Sequence, residues 1–425
     1  MKTVCATVFG GLLVFSFAAP ASAGDTAKFR ERVLYSFCRN QNCTDGALPT
    51  ASLTNVSGTM YSTTALGGVY GYGSIFAFDR NSGKESVVYS FCSEKQGYYC
   101  LDGQVPQAGL AKVNDMLYGT TTFGGNAGCD AHGCGTVFSL DPSTGAEVVL
   151  HNFGGGTDGA VPYASVISVK GVLYGTTFDG GASCDCGTVF SLDPASGTET
   201  VLHRFAGDTD GEEPFGGLTY LDGKLYGTVR MGGSYGAGAI FSVDLKSGKE
   251  KLRYSFCAQF GCPDGGDPET SLIAVNGVLY GTTDAGGNET YCPNTNNPPG
   301  CGTVYSFDPE TGTEKVLFAF CNQQNCTDGW APEGNLIDVN GTLYGTTYLG
   351  GQPAGCDITP GCGTVFSIDP NTGAQGVLWS FATGTGVDGI KPVSGLVGIK
   401  DAFYGTTQSG GANNDGVVFM LKQRR

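Results

Sequence analysis

One spacing recurs seven times along this 425-residue chain. A Pro lies four residues after the Asp of an Asp-Gly pair, and a Tyr lies sixteen residues after it. Each Tyr opens a stretch similar to Leu-Tyr-Gly-Thr-Thr, followed by Gly-Gly and then by Gly-Thr-Val-Phe-Ser-Leu-Asp. Seven such copies indicate one structural unit repeated in tandem. The aspartates that begin the copies are Asp45, Asp102, Asp158, Asp210, Asp264, Asp328 and Asp388.

Each unit contains four strand-like runs rich in Val, Phe, Tyr, Thr and Leu, the residues that suit a pleated, half-buried surface. In the sixth unit the runs are 335–339, 342–347, 363–368 and 377–381, and Asn-Gly at 340–341 is a tight hairpin turn. Four antiparallel strands repeated seven times predict an all-β fold, a seven-bladed β-propeller.

The two ends of the chain carry complementary halves of one unit. Residues 32–37 read as a fourth strand without a third, and residues 416–421 read as a third strand without a fourth. We expect the two to pair, which completes the seventh blade and removes the exposed sheet edge of a linear array. An open solenoid of the same units is the alternative, but it gives no reason to split a unit. The propeller domain is therefore predicted over 32–421.

The N-terminus has the pattern of an export signal. Lys2, an apolar run and Ala-Ser-Ala at 21–23 predict a cleaved signal peptide over 1–23, followed by a short segment at 24–31. Residues 422–425 are a C-terminal tail. Other apolar stretches are too short to cross a membrane, so the mature protein is expected to be secreted or periplasmic.

The cysteines fall in two kinds of loop. Cleavage would remove Cys5 and leave sixteen of the 17 cysteines, an even number that predicts disulfides in an exported protein. Zinc binding is the alternative, but Cys-x-x-Cys arms are absent from the sequence. Four pairs lie between units and four between the second and third strands, all expected on one face. The predicted disulfides are Cys38–Cys43, Cys92–Cys100, Cys129–Cys134, Cys184–Cys186, Cys257–Cys262, Cys292–Cys301, Cys321–Cys326 and Cys356–Cys362.

Charge and motifs exclude several functions. The net charge is -16, so phosphate-neutralising nucleic-acid binding is not expected. The sequence has neither a Gly-x-Ser-x-Gly elbow nor a His-rich metal motif, so no metal, no cofactor and no catalytic residue is predicted. His151 and His203 replace the Tyr of a fourth strand and are interpreted as packing variants. The repeated Asp of Asp-Gly could form a ring of carboxylates near the channel, but its presence in all seven copies favours a structural turn.

Positions that differ between copies are better candidates for a site. Between Thr-Thr and Gly-Gly each copy carries its own side chains, and Trp330 follows one Asp-Gly pair. Arginine and aromatic residues are the types that anchor ligands. The predicted ligand-binding candidates are Phe123, Asp179, Arg230, Asp284, Trp330, Tyr348 and Gln408.

The repeat of Leu-Tyr-Gly-Thr-Thr, Gly-Gly and Gly-Thr-Val-Phe-Ser-Leu-Asp-Pro-x-Thr-Gly resembles the GloVer-type (Gloeo/Verruco) tandem repeat of exported bacterial proteins, over residues 33–421. That family implies no particular reaction. The Asp-Pro-x-Thr-Gly turn is also similar to the repeat of quinoprotein-type propellers. Their regular Trp is missing here, since the chain has two Trp, and the resemblance does not extend to a quinone cofactor.

Three functions follow from these observations. The first is an exported, non-catalytic, monomeric propeller that binds a glycan or a protein through its disulfide-rich loops. The second is a carbohydrate-active hydrolase or lyase that uses an asymmetric pair of carboxylates at the mouth of the channel. The third is a structural protein of the cell envelope.

Overall fold

The structure is a computed structural model that describes residues 29–424 except 127, 130–131, 182–183, 288–289, 293–297, 353–355, 357–359 and 383–387. The predicted signal peptide, 1–23, and residues 24–28 lie outside the described residues. Among the described residues, no helix is long and apolar enough to span a membrane.

Seven antiparallel four-stranded sheets form the blades of a β-propeller. The first strands of neighbouring blades lie beside one another around the central channel. Blade 1 contains Thr54–Val56, Thr59–Thr64, Ser74–Asp79 and Lys84–Ser90; blade 2, Ala111–Val113, Met116–Thr121, Thr136–Leu140 and Glu147–Asn152; blade 3, Ile167–Val169, Val172–Thr177, Thr188–Asp193 and Thr198–Arg204. Blade 4 contains Thr219–Leu221, Lys224–Val229, Ala239–Asp244 and Glu250–Ser255; blade 5, Ile273–Val275, Val278–Thr283, Thr303–Asp308 and Thr313–Ala319; blade 6, Ile337–Val339, Thr342–Thr347, Thr364–Ile368 and Gln375–Ser380.

Blade 7 combines both ends of the chain. Its strands are Val397–Ile399, Ala402–Thr407 and Val417–Gln423, and the N-terminal strand Phe29–Ser36 pairs with the last of these. The seven-bladed, all-β fold predicted from the repeats is confirmed. The two terminal strands reach beyond the predicted 32–37 and 416–421, since Phe29 pairs with Gln423. Two short strand pairs, 95–96 with 99–100 and 389–390 with 409–410, were not predicted.

A buried aromatic pair joins every blade to the next. The Phe that follows the fourth strand packs edge-to-face on an aromatic ring in the third strand of the following blade, with centroids 4.9–5.2 Å apart. The Gly of Leu-Tyr-Gly-Thr-Thr leaves room for that ring, because a Cβ on Gly119 would lie 2.5 Å from the Cζ of Phe138. The pairs are Phe37–Phe76, Phe91–Phe138, Phe153–Phe190, Phe205–Phe241, Phe256–Tyr305, Phe320–Phe366 and Phe381–Phe419.

The first Thr of each Thr-Thr pair adds a hydrogen bond between blades. Its hydroxyl donates to a backbone carbonyl a few residues before the next innermost strand, as Thr63 does to Ala108 over 3.0 Å. Blade 1 has the same bond at the junction with blade 7, where Thr406 donates to Ala51 over 3.0 Å. These bonds and the aromatic pairs explain why the repeat keeps its Thr and Phe.

The loops of one face are fastened to each other. We call the segment between two blades a link, and the face that carries the links and the second-to-third-strand loops the loop face. The two kinds of loop are hydrogen-bonded together, as where Gly68 N–H donates to Cys43 O over 3.0 Å. Disulfides join all eight predicted pairs, four within links and four within these loops.

The repeated Asp of Asp-Gly organises its link. Asp45 accepts backbone N–H bonds from Arg39 and Asn40, as expected for a structural turn. It also accepts the hydroxyl of Tyr35, over 2.8 Å. The third-strand Asp residues likewise accept N–H bonds from the turns that follow them, as Asp79 does from Asn81.

A glutamate from the next blade completes each of these junctions except one. The glutamate lies near the start of the fourth strand of that blade. Glu314 is an example: the hydroxyl of Tyr254 donates to Asp264 at 2.8 Å and lies 3.3 Å from Glu314. In blade 6 the position is Gln375, which donates to the carbonyl of Asp328 over 3.0 Å. The glutamates are Glu31, Glu85, Glu147, Glu199, Glu250 and Glu314, and one oxygen of each is buried without a hydrogen-bond partner among the described residues.

Burial of these glutamates predicts a stability that falls as pH rises. Burial first, and then the charge of Asp102, raises the pKa of Glu147 to about 8, and the pKa of Glu314 is raised in the same way to about 8. The unfolded chain releases these protons near its ordinary pKa of 4.5. Between that value and pH 8 the folded state therefore holds more protons, and the free energy of unfolding declines by about 1.4 kcal/mol per pH unit for each such proton.

We expect Glu147→Gln to flatten this decline by about one proton. Denaturant unfolding from pH 5 to 8.5 measures the slope, and Gln375 shows that an amide fits the equivalent junction. Glu310→Gln, in an exposed turn, is the matched control and should leave the slope unchanged. A slope identical in Glu147→Gln and the parent protein would contradict the assignment.

Candidate functional site at the mouth of the channel

The residue after each repeated Pro lines the mouth of the channel on the loop face. These seven residues, which we call the inner ring, surround a cleft that opens to solvent. The backbone that carries them is the same in every copy, but the side chains differ. The inner ring is Thr50, Gln107, Tyr163, Phe215, Glu269, Glu333 and Val393.

A second ring stands behind the first. The residue after each Thr-Thr-like pair donates its N–H to the carbonyl of the residue before the Pro, as Arg230 does to Glu213 over 3.0 Å. The residue before the Pro has a positive φ in all seven copies, +57° at Val161 and +51° at Asp267, which turns the chain into the channel. The outer ring is Ala65, Thr122, Phe178, Arg230, Asp284, Tyr348 and Gln408.

One sector of the mouth is aromatic. Tyr163 and Phe215 stack with centroids 4.9 Å apart and an interplanar angle of 23°, and Phe178 packs edge-on against Tyr163 at 5.2 Å. All three rings are partly exposed. Stacked, half-exposed rings beside polar groups provide a flat surface on which the apolar face of a ligand can lie.

The adjoining sector is charged. Arg230 lies between two carboxylates, with Nη1 3.2 Å from Oε2 of Glu213 and Nε 2.9 Å from Oε1 of Glu269. The second contact is an ion pair whose direction is not that of a hydrogen bond, since Nε has no hydrogen-bond partner among the described residues. Asp267 and Asp284 lie close enough to Arg230 to feel its charge.

Carboxylates outnumber cations here, and their acidities are shifted. Burial and the neighbouring Asp284 and Glu269 hold the pKa of Glu333 well above its usual range, although the ammonium of Lys391 opposes the shift. Burial and Asp284 raise the pKa of Glu269 to about 7, and burial and Asp267 raise that of Asp284 to about 6. One oxygen of Asp284 is buried without a hydrogen-bond partner among the described residues. Perturbed carboxylates in a cleft are typical of functional sites.

A groove extends from the charged sector across the loop face. It borders Arg230 and Asp267 and is lined by Met231, Tyr235 and Phe260. Tyr235 is 56 % exposed and Phe260 is fully exposed, on a loop closed by the Cys257–Cys262 disulfide. The mouth and the groove therefore form one continuous surface.

The predicted ligand-binding residues divide into two groups. Arg230, Asp284, Tyr348 and Gln408 belong to the outer ring, and among the described residues Gln408 also lines the mouth cleft. The ring of Tyr348 lies 5.0 Å from the ammonium of Lys391. Asp179 lies close to Glu213 and Asp185. Phe123 and Trp330 belong to neither ring: Trp330 packs on the core between blades 5 and 6, and Phe123 contacts His132 with ring centroids 6.0 Å apart.

The inner ring was missed by the sequence analysis. The sequence did contain a signal for the inner ring, because the residue after each constant Pro differs between copies. The seven Asp-Gly aspartates, in contrast, do not border the mouth cleft among its described lining residues. They hold the links, which explains why all seven copies keep them.

Arg230→Ala should destabilise the protein in a pH-dependent way. Arg230 lowers the pKa values of Glu269, Asp267 and Asp284, so its loss leaves half-buried carboxylates without their cation at pH 8. At pH 5 the carboxyl groups can take up protons, and the loss of stability should shrink. Thermal unfolding at both pH values measures the effect, with Arg80→Ala, on a blade 1 turn, as the control. An equal loss at both pH values would argue against charge compensation.

Comparisons with known proteins agree with this architecture. The structure is similar to an oligogalacturonate lyase in complex with manganese (12 % identity, 94 % and 97 % of the two chains covered, TM-score 0.51). It is also similar to a putative 6-phosphogluconolactonase from Bacteroides uniformis (14 % identity, 83 % and 88 % covered, TM-score 0.51) and to a europium-containing methanol dehydrogenase (12 % identity, 92 % and 93 % covered, TM-score 0.50). At these identities the likeness is one of fold. No curated protein matches the sequence. The model of the Gloeobacter/Verrucomicrobia repeat matches residues 95–293 and 293–425, and the chain therefore belongs to that repeat family.

Proposed function

We propose that this protein is an exported propeller that binds a glycan at the mouth of its channel. The observation that carries the proposal is the break in sevenfold symmetry there, where stacked Tyr163 and Phe215 adjoin Glu269, Glu333 and Gln107. Aromatic faces bind the C–H face of a sugar, and carboxylates and amides accept or donate hydrogen bonds to its hydroxyls. Eight disulfides support a secreted or periplasmic location.

The charge of the site limits the class of glycan that it can bind. Arg230 and Lys391 lie among five carboxyl groups, those of Glu213, Asp267, Glu269, Asp284 and Glu333. An acidic polysaccharide would be repelled, whereas a neutral or amino-bearing sugar would not. The groove that leads to Tyr235 and Phe260 offers further sugar subsites, which favours an oligosaccharide over a single sugar.

Binding should depend on the stacked rings. We expect the double variant Tyr163→Ala, Phe215→Ala to bind neutral oligosaccharides at least about tenfold more weakly, since loss of an aromatic anchor costs more than about 1 kcal/mol. Titration calorimetry with the best ligand from a panel of neutral, amino-bearing and acidic oligosaccharides measures it. Tyr98→Ala, a 94 % exposed aromatic that does not line the mouth cleft, is the control. Unchanged affinity in the double variant, or a preference for acidic glycans, would refute the proposal.

A second function is favoured by one observation, the raised pKa of Glu333 beside Glu269. A carboxyl that keeps its proton near neutral pH can act as a general acid while a neighbouring carboxyl of lower pKa acts as base or nucleophile, which is the arrangement a glycosidase uses. Chromatography of the bound oligosaccharides after long incubation distinguishes the two functions. Shortened products that disappear with Glu333→Gln would indicate hydrolysis, and intact ligand would indicate binding alone.

A further inference from the structure

Two junctions between blades carry histidine where three others carry tyrosine. We infer that these two junctions bind divalent transition-metal ions, each through one His, one Asp and one Glu. The first site lies between blades 2 and 3 and the second between blades 3 and 4. Their ligands are His151, Asp158 and Glu199, and His203, Asp210 and Glu250.

The distances suit a metal with little rearrangement. Nε2 of His151 lies 3.4 Å from Oδ2 of Asp158, and Nε2 of His203 lies 3.2 Å from Oδ2 of Asp210. Ligand atoms about 2.0–2.2 Å from one zinc ion are about 3.0–3.5 Å from each other. In each group one ligand atom of all three residues lies within 4.8 Å of the others. Completing the set of ligands around one ion therefore requires the glutamate oxygen to approach by at most about 2 Å.

Several polar atoms at these junctions have no hydrogen-bond partner among the described residues, although Nε2 of His203 is hydrogen-bonded to Oδ2 of Asp210 over 3.2 Å. Nε2 of His151 and one oxygen each of Glu199 and Glu250 are shielded from solvent and make no well-directed hydrogen bond among the described residues. At the equivalent place the hydroxyl of Tyr254 donates to Asp264 and lies 3.3 Å from Glu314, although one oxygen of each of these two carboxylates has no hydrogen-bond partner among the described residues. Imidazole and carboxylate together form a donor set for Zn²⁺ or Co²⁺. The histidine side chains are 18 % and 20 % exposed, which leaves an approach for the ion.

The distribution of disulfides is a further reason to expect that a metal ion fastens the two histidine-bearing links. The links that follow His151, His203 and Trp379 contain no cysteine, and the Asp lies seven residues after the His in the two histidine-bearing links. The links after Tyr35, Tyr89 and Tyr254 are longer, and each is closed by a disulfide. A metal ion would join the link to both adjacent blades where no disulfide closes it.

Replacement of His151 and His203 by tyrosine tests the two sites without disturbing the fold. After EDTA treatment and dialysis against ZnCl₂, the full-length mature protein should retain two zinc ions per chain by plasma mass spectrometry, one for each site. His151→Tyr and His203→Tyr should each retain one, and the double variant none. Tyrosine occupies this position at three sister junctions, so the variants should keep the parent's circular dichroism. Zinc should raise the melting temperature of the parent but not of the double variant.

The reciprocal variant, in which a tyrosine is replaced by histidine, should create an additional zinc site. Tyr254→His places imidazole beside Asp264 and Glu314, which already meet the tyrosine hydroxyl at 2.8 and 3.3 Å. It should add a third zinc ion, and with Co²⁺ it should increase the visible absorption by half. Zinc retained by the double reversion variant, or a parent protein that retains none, would overturn the inference. The test does not depend on glycan binding, so each proposal can fail without the other.

Discussion

The edge-to-face contact between aromatic rings of successive blades is the interaction on which the rest of the molecule depends. It recurs at all seven junctions, and each ring is completely buried. A ring placed by the fourth strand of one blade meets a ring in the third strand of the next, and a Gly such as Gly175 in the second strand gives that ring its space. Because a few positions per copy fix the angle between blades, the residues that face the channel are free to differ.

Because the residues that join the blades are separate from those that face the channel, a symmetrical scaffold can present an asymmetrical site. The repeated Pro and the left-handed residue before it set the backbone direction at the mouth in every copy. Only the next side chain then decides what a blade contributes: a ring at Tyr163 and Phe215, and a carboxyl at Glu269 and Glu333. Aromatic and acidic residues from consecutive blades consequently lie in adjoining sectors, which places a stacking surface beside hydrogen-bonding and acid–base groups.

The fold could be predicted from the sequence because every copy repeats the same strand-forming runs, turn residues and spacing. The sixth blade shows the precision: its second strand, 342–347, is as predicted, and its fourth is Gln375–Ser380 instead of 377–381. The mouth was harder to predict. A positive φ is disfavoured for a residue such as Val161, so the chain reversal before the Pro has no local signal. The contact of Tyr254 with Glu314 joins residues 60 positions apart, which spacing within one copy cannot reveal.

The links connect the chemistry of the junctions to the site. The Asp of each Asp-Gly pair precedes its inner-ring residue by five positions, so whatever fastens the link also positions that residue. Disulfide-closed links lead to Thr50, Gln107, Glu269 and Glu333, whereas the two histidine-bearing links lead to Tyr163 and Phe215. The carboxylate sector therefore follows links closed by a covalent bond, which holds whether or not an ion is present. The aromatic sector follows links held by His, Asp and Glu, so an ion bound there would order the stacking rings selectively.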